Sequence, residues 1–192
     1  MQRAARSALA RSTRTYPEAR LRGKLERWQL PLFPRLRAQR AAQIVPRLRR
    51  LVPPRVVAAV LRTWFNGWCT RRRFQQNGRC IFGCKLGADA LEHYICCSRI
   101  HQHGVVRLRL PPAGAFEARG VSFLLLDPQP RDDALTLRAL LLAAAYQLHC
   151  SNRRGQPLTD GEECRRALQH ALREAARGHA QATQTLDAVW VR

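Results

Sequence analysis

Apolar residues recur at helical spacing behind Pro53 and Pro54, a position where a helix can begin. Seven side chains follow a 3.6-residue period there, and they predict a helix with a stripe facing the core. They are Val56, Val57, Val60, Leu61, Trp64, Phe65 and Trp68. A second, shorter helix over residues 69–76, closed by Gly78, is predicted to carry a basic surface.

Two further helices have clear start signals in the second half of the chain. Asp132 and Asp133 predict the N-cap of a helix that ends near Cys150, and Asp160 predicts the cap of another over residues 162–177. Gly178 ends the latter, and a final helical stretch is expected to reach Trp190. The first of these helices carries an apolar face that suits either the core or a partner protein. That face is formed by Leu137, Leu141, Ala144, Ala145 and Leu148.

Two short segments between these regions resemble strands. Residues 105–110 alternate apolar and basic side chains, as a half-exposed strand does. Residues 121–126 form a second strand candidate between Gly120 and Pro128. We therefore expect one or two short strands in a mostly helical protein.

The beginning of the chain has a different character. Prolines interrupt residues 1–34, so we expect much of this segment to be disordered. Residues 35–52 read as a basic helix with a weak apolar face, broken near Pro46. The sequence thus predicts a partly disordered basic arm over residues 1–52 and a helical domain over residues 53–192.

Positive charge is concentrated in the first part of the chain. Residues 1–79 contain 20 Lys and Arg against 2 acids, whereas the remainder contains 14 against 11, for a formal net charge of +21. Such an asymmetry favours a polyanion, RNA or DNA, as the partner. Arginine suits phosphate because its planar fork can bind two oxygens at once. The candidate phosphate-binding residues are Arg49, Arg50, Arg71, Arg72, Arg73 and Arg79.

A cluster of cysteine and histidine supplies the most specific chemistry. Cys80 and Cys84 flank a tight turn at Gly83, and His93 and Cys97 are spaced i, i+4, as on one helix face. Zinc prefers four such ligands in a tetrahedron, and a full protein set leaves a structural ion without an open position. The sequence therefore predicts a structural Zn²⁺ in a CCHC knuckle over residues 80–97.

Several details of this knuckle remain open at the level of sequence. Cys96, at i+3 from His93, is the alternative fourth ligand. His101 and His103 lie close enough to serve as ligands too, but surface loop positions are expected for them. Asp89 is predicted to cap the second half of the knuckle. A small apolar cover over the metal is expected from Ile81, Phe82, Leu91 and Tyr94.

A longer run of residues around the cluster resembles a known family. The stretch from Leu61 through Trp64-Phe65-Asn66-Gly67-Trp68 to the basic Arg71-Arg72-Arg73-Phe74 precedes the Cys80 and Cys84 pair. Asp89-Ala90-Leu91-Glu92-His93 and Cys97 follow it. This pattern is similar to the zinc-binding region of non-LTR (LINE-like) retrotransposon reverse transcriptases, over about residues 55–100.

The resemblance implies a module that lies downstream of a polymerase and helps to hold template RNA or target DNA. The polymerase itself is missing from this sequence, since no Tyr-x-Asp-Asp signature is present. We therefore expect a C-terminal fragment of a mobile-element reading frame that acts as a non-catalytic nucleic-acid-binding module. The alternative function is a helical protein-interaction scaffold stabilised by structural zinc.

The remaining expectations concern location and partners. No apolar stretch is long enough to span a bilayer. No small-molecule substrate is predicted. The clustered thiols favour a reducing compartment, either nuclear or cytoplasmic. The Arg-rich opening residues also have the composition of a mitochondrial or plastid transit peptide, which is the alternative location. Oligomeric state does not follow from the sequence.

Overall fold

A long apolar helix lies at the centre of the fold. The computed structural model describes Gly23 and residues 34–84, 87–113, 116–128, 130–152, 157–158 and 160–190. Its helices are α1 (Pro34–Leu51), α2 (Pro54–Trp64), α3 (Leu91–Tyr94), α4 (Ser98–Leu108), α5 (Phe116–Phe123), α6 (Asp132–Asn152), α7 (Gly161–Ala176) and α8 (Ala180–Trp190), with a 3₁₀ turn over Arg72–Phe74. The mostly helical prediction is confirmed. The predicted disorder of residues 1–34 falls almost entirely outside the described residues.

Helix α6 packs against α1, α2, α4, α5, α7 and α8. Leu135, Ala139 and Leu142 are completely buried, and a helix that is apolar on nearly all sides is typical of the centre of a core. The apolar face of this helix was predicted to suit either the core or a partner protein. On that face, Leu137 and Leu141 are 5% exposed, and Ala144 and Ala145 are completely buried. This face therefore packs inside the molecule.

Helices α7 and α8 follow the predicted pattern. The Asp160 side chain accepts hydrogen bonds from the backbone amides of Glu162 and Glu163, as an N-cap does. Gly178, with φ of +74°, turns the chain between the two helices. The end of α6, both ends of α7 and the end of α8 lie within two residues of their predicted positions.

The two strand predictions were wrong. Residues 105–108 belong to α4, whose buried side chains recur at helical spacing from Ile100 onward. Residues 121–123 belong to α5, and Leu124, Leu125 and Leu126 after it are all completely buried rather than alternating. A six-residue window could not show the helical period, because the positions that set it lie further upstream.

Helix α1 is continuous through Pro46, so the predicted break was also wrong. Pro46 is exposed, while Ile44 and Leu48 on either side of it are buried. A proline ring inside a helix costs a hydrogen bond, and the burial of its neighbours offsets that loss here. Helix α1 packs against α2 and α6.

The stripe that begins in α2 ends outside that helix. Trp64 is the last residue of α2, and Trp68 reaches the core from the following loop, where Asn66 has a positive φ of 55°. Both indole rings are fully buried, and Trp64 donates to the carbonyl of Leu124 at 2.9 Å. The next predicted helix is only the 3₁₀ turn, since Gln75 adopts the left-handed conformation directly after it.

Among the described helices, none has the length and apolar character needed to cross a membrane.

Candidate metal centre

Four side chains bring their donor atoms together at one point of the fold. The sulfurs of Cys80, Cys84 and Cys97 and a ring nitrogen of His93 all lie within 4.8 Å of one another. The three cysteines are buried and His93 is half-buried. All seven cysteines belong to the described residues, and none of them forms a disulfide. The predicted ligand set converges, and it can hold a metal ion.

The spacing of the donors suits a tetrahedral ion. Zinc–sulfur bonds of about 2.3 Å place two thiolates about 3.8 Å apart in a tetrahedron. The sulfurs of Cys80 and Cys97 are 3.8 Å apart, and the sulfur of Cys84 lies 3.0 Å from Nε2 of His93. Three thiolates and one imidazole form a donor set that favours zinc over hard cations such as Mg²⁺ or Ca²⁺.

Two short backbone arrangements position these ligands. Arg79 and Ala88 form an antiparallel bridge, and the amide of Cys80 donates to the carbonyl of Gly87 at 2.9 Å. Gly83, with φ of +69°, closes the turn after Cys80. Cys80 therefore lies next to the bridge of this hairpin, and Cys84 directly follows the turn at Gly83.

The spacing of His93 and Cys97 suggested that both lie on one helix face, but the two residues do not share a helix. Helix α3 ends at Tyr94, and Cys97 is the N-cap residue of α4. The amide of Cys97 donates to the carbonyl of Tyr94 at 3.3 Å, which turns the chain so that both donors still meet. Cys96 is buried nearby, but its sulfur is not one of the four converging donors. The geometry therefore selects Cys97.

Gly87 makes room for the imidazole of His93. A Cβ atom added at Gly87 would lie 2.0 Å from Cε1 and 2.1 Å from Nδ1 of that ring. No side chain fits there unless the ring moves. Sequence reasoning missed this glycine, which stands outside both halves of the ligand pattern.

Hydrogen bonding between two thiols of the cluster changes their pKa values in opposite directions. The hydrogen bond with Cys97 and burial both raise the pKa of the Cys80 thiol. The same hydrogen bond lowers the pKa of Cys97 to about 4, against the effect of burial and with help from His93. The thiolate, which is the metal-binding form, is therefore favoured at Cys97.

Comparison with known proteins gives no match: no family model, no curated protein and no solved structure matches the chain. What the protein does must therefore be argued from its own residues.

Asp89 connects the metal centre to the central helix. Its carboxylate accepts from the Tyr94 hydroxyl at 2.8 Å and from the backbone amide of Arg71 at 3.0 Å, and it lies 3.2 Å from Nε2 of His149 on α6. Burial alone raises the pKa of Asp89, but the hydrogen bonds from His149, Tyr94 and Arg71 outweigh it and lower the pKa. The predicted capping role was wrong, because the cap position is held by Ala90.

Aromatic rings cover the side of the cluster that faces the core. Tyr94 stacks on Trp68 with ring centroids 5.3 Å apart and meets the edge of Phe82 at 5.5 Å. The amide of Ile81 donates to the Tyr94 hydroxyl at 3.3 Å, and burial together with Asp89 raises the pKa of that hydroxyl. Leu91 is 2% exposed, so all four residues of the expected apolar cover are buried.

The candidate phosphate-binding arginines are distributed over three surfaces. Arg71, Arg72 and Arg79 line one cleft of about 640 Å³ beside the metal ligands. Arg73 is exposed but donates to the carbonyl of Asn66 at 2.9 Å. Arg49 and Arg50 are exposed in the last turn of α1 and do not line this cleft.

His101 and His103 are not surface loop residues, contrary to expectation. Both lie in α4, where a ring nitrogen of His101 is 3.0 Å from the carbonyl of Ile95 and His103 is buried. Burial lowers the pKa of His103 to about 4, and the nearby Arg107 adds to this effect. Neither histidine belongs to the four-residue cluster.

Proposed function

We propose that this protein is a non-catalytic nucleic-acid-binding module in which structural zinc, held by Cys80, Cys84, His93 and Cys97, fixes an arginine-lined cleft. The observation that carries the proposal is the position of Arg71, Arg72 and Arg79 in one cleft of about 640 Å³, directly next to the ligand Cys80. Among the described residues of that lining, Asp89 is the one carboxylate, and it is 2% exposed and already holds three hydrogen-bond partners. Glu92, outside the lining, pairs with Arg72 at 3.5 Å. Three arginines against these two acids leave the cleft with a net positive charge.

The metal and the cleft share the same backbone. Arg79 precedes Cys80 in the bridged hairpin, and the amide of Asp89 donates to the carbonyl of Gly78 at 2.8 Å. Structural zinc contributes about 10–16 kcal/mol to the folding of isolated finger peptides, and here it would add to the packing of the hairpin against the core. Zinc that orders the hairpin thus also orders the arginines.

The residues of the cleft suit phosphate contacts better than base stacking. Trp64 and Trp68 are fully buried and unavailable to a base, whereas Phe74 is 59% exposed. Phosphate contacts supply most of the affinity of non-specific nucleic-acid binding. One stacked base on Phe74 would add a sequence-tolerant contact.

The origin of the chain is part of the proposal. We infer descent from the zinc-binding region of a non-LTR retrotransposon reverse transcriptase, supported by the run from Leu61 to Cys97 and by the convergence of its cysteines and histidine. Four protein ligands fill a tetrahedral ion, so the centre offers no open position for substrate. The absence of disulfides among the seven cysteines supports a reducing compartment, and we infer a nuclear or cytoplasmic location.

Binding should be measured by fluorescence anisotropy with labelled single-stranded RNA and duplex DNA, using zinc-loaded protein in rising salt. The variant Arg72→Gln/Arg79→Gln removes two exposed arginines from the cleft, and Arg131→Gln/Arg166→Gln removes two exposed arginines elsewhere. We expect the cleft variant to reduce the slope of log affinity against log salt by about 2, because each lost phosphate contact removes about 1.

The control variant should retain the slope of the unaltered protein. Equal slopes for the two double variants would show that the cleft is not the binding surface. A folded, zinc-loaded protein that binds neither RNA nor DNA at low salt would overturn the function itself and leave the scaffold interpretation.

A further inference from the structure

A second basic recess lies between α4 and α7, away from the arginine cleft. It has a volume of about 190 Å³, and Arg99, Arg107 and Arg165 line it together with His103 and Cys164. Of the described residues, no acidic one belongs to the lining. The volume is several times the roughly 30 Å³ that a water molecule occupies in the liquid, so a ligand of several atoms fits.

Several buried nitrogens without a hydrogen-bond partner belong to side chains that line this recess. Among the described residues, six buried side-chain nitrogens have no hydrogen-bond partner, and three of them belong to its lining. They are Nε2 of His103, Nε of Arg107 and Nε of Arg165. Buried polar groups are almost always paired, and each orphan costs about 1–3 kcal/mol. A ligand with several acceptor oxygens would satisfy the two arginine N–H groups, and also His103 when its proton is on Nε2.

His103 distinguishes this recess from an ordinary basic surface. It is 6% exposed, and its imidazole is neutral near pH 7 because burial and Arg107 hold its pKa at about 4. A neutral imidazole still carries one N–H group. When the proton is on Nε2, that group donates a hydrogen bond to an oxygen while the ring stays neutral.

The neighbouring acids leave the recess positive. Glu162 pairs with one end of the Arg165 guanidinium, and the Asp160 carboxylate is engaged by the first amides of α7. The N-terminus of α7 therefore contributes little to the binding of an anion. The Arg99 guanidinium lies across Gly161, where a Cβ atom would be 2.6 Å from Nη1, so the glycine lets this arginine cross the start of α7.

We propose that the recess formed by Arg99, His103, Arg107 and Arg165 binds a phosphate group of the nucleic acid, as a second anchor separate from the arginine cleft. The choice of nucleic acid as the source rests on the proposed function, whereas the phosphate chemistry rests on the recess alone. Guanidinium groups bind phosphate oxygens through charge-assisted hydrogen bonds, which are about twice as strong as neutral ones. The His103 imidazole supplies the neutral donor.

The phosphate chemistry is tested with inorganic phosphate and zinc-loaded protein by NMR of the histidine ring protons. The His103 resonance, assigned by its loss in His103→Gln, should shift saturably as phosphate is added. Arg107→Gln should weaken this response at least about 10-fold, because it removes a charged donor. Arg166→Gln, an exposed arginine on α7 outside the lining, should leave it unchanged.

The source is tested with the same variants and a labelled oligonucleotide. Arg107→Gln should reduce the salt slope of binding by about 1, while Arg166→Gln should not. If the oligonucleotide binds all variants alike and phosphate does not shift His103, the recess proposal falls and the proposed function stands. If phosphate shifts His103 but no oligonucleotide binds, the proposed function falls and the recess is a site for a small phosphorylated molecule.

Discussion

At the scale of single residues, the metal centre depends on positions that carry no ligand. Gly87 is the clearest of them, since the His93 ring occupies the space of a side chain at that position. Asp89 is another, because its buried carboxylate connects Tyr94 beside the ligand His93 with His149 on α6. The sequence predicted Cys80, Cys84 and His93 and left the fourth ligand open between Cys97 and Cys96. It could not show these supports, which follow from contacts between distant segments.

Replacement of Gly87 by alanine should weaken zinc binding at least about 10-fold, as loss of support around a metal ligand typically does. The new methyl group would push the His93 ring away from the three sulfurs. Zinc affinity measured by competition with a chromogenic chelator gives the comparison. The control is Ala88→Ser, an exposed change at the next residue. Equal affinities for the two variants would contradict the account of Gly87.

The buried pair of Asp89 and His149 predicts a dependence of stability on pH. Burial lowers the pKa of His149, but the hydrogen bonds and charge interactions of its ring with Asp89 and Cys150 together outweigh burial and raise the pKa above 6.5. This contribution to stability is complete below 6.5 and is lost as the pH rises through the folded-state pKa. The contribution of Asp89, whose pKa is lowered, is complete above 3.8 and is lost as the pH falls.

We therefore expect His149→Gln to destabilise the protein more at about pH 5.5 than at about pH 9, because the stabilisation by the charged histidine is lost as the pH rises through its raised pKa. The measurement is the free energy of unfolding of both proteins in urea, at matched zinc loading. Taking the difference between the two proteins removes the pH dependence of groups that they share. A larger difference at the higher pH would contradict the assignment.

At the scale of elements, helices with explicit start and stop signals were predicted correctly, whereas the two predicted strands are absent from the described chain. The caps at Asp160 and Gly178 fixed α7, because a carboxylate over free amides and a left-handed glycine are local events. Residues 105–110 alternate apolar and basic side chains and residues 121–126 form a short, mostly apolar run, yet no partner strand lies beside either segment in the described chain. Alternation predicts a strand only where a neighbour can satisfy its backbone.

Removal of the α7 cap should have a moderate cost. Asp160→Ala is expected to lower the free energy of unfolding by about 1 kcal/mol, because two backbone amides at the start of α7 lose their acceptor. His170→Ala, an exposed change in the middle of the same helix, should remain within about 0.5 kcal/mol. Thermal and urea unfolding of both variants measure this. An Asp160 variant as stable as the control would show that α7 does not depend on its cap.

At the scale of the whole molecule, a cluster of three cysteines and one histidine that can hold a metal ion, an apolar helix bundle and an uneven distribution of charge are combined in one chain. The helical class and the four converging donors were both predictable, since 3.6-residue periodicity and ligand spacing are properties of the sequence. The recess between α4 and α7 was not, because it brings together His103 and Cys164 from segments about sixty residues apart. In the sequence, the arginines that line this recess cannot be distinguished from the many other arginines of the chain.

The most direct test of the central claim is the zinc content of the purified protein, measured by elemental analysis and native mass spectrometry. We expect one zinc per chain in the unaltered protein and in Cys96→Ser, and a loss of most of the metal in Cys80→Ser and His93→Ala. A protein without bound zinc, or a Cys96 variant that loses the ion while Cys80→Ser keeps it, would contradict the account.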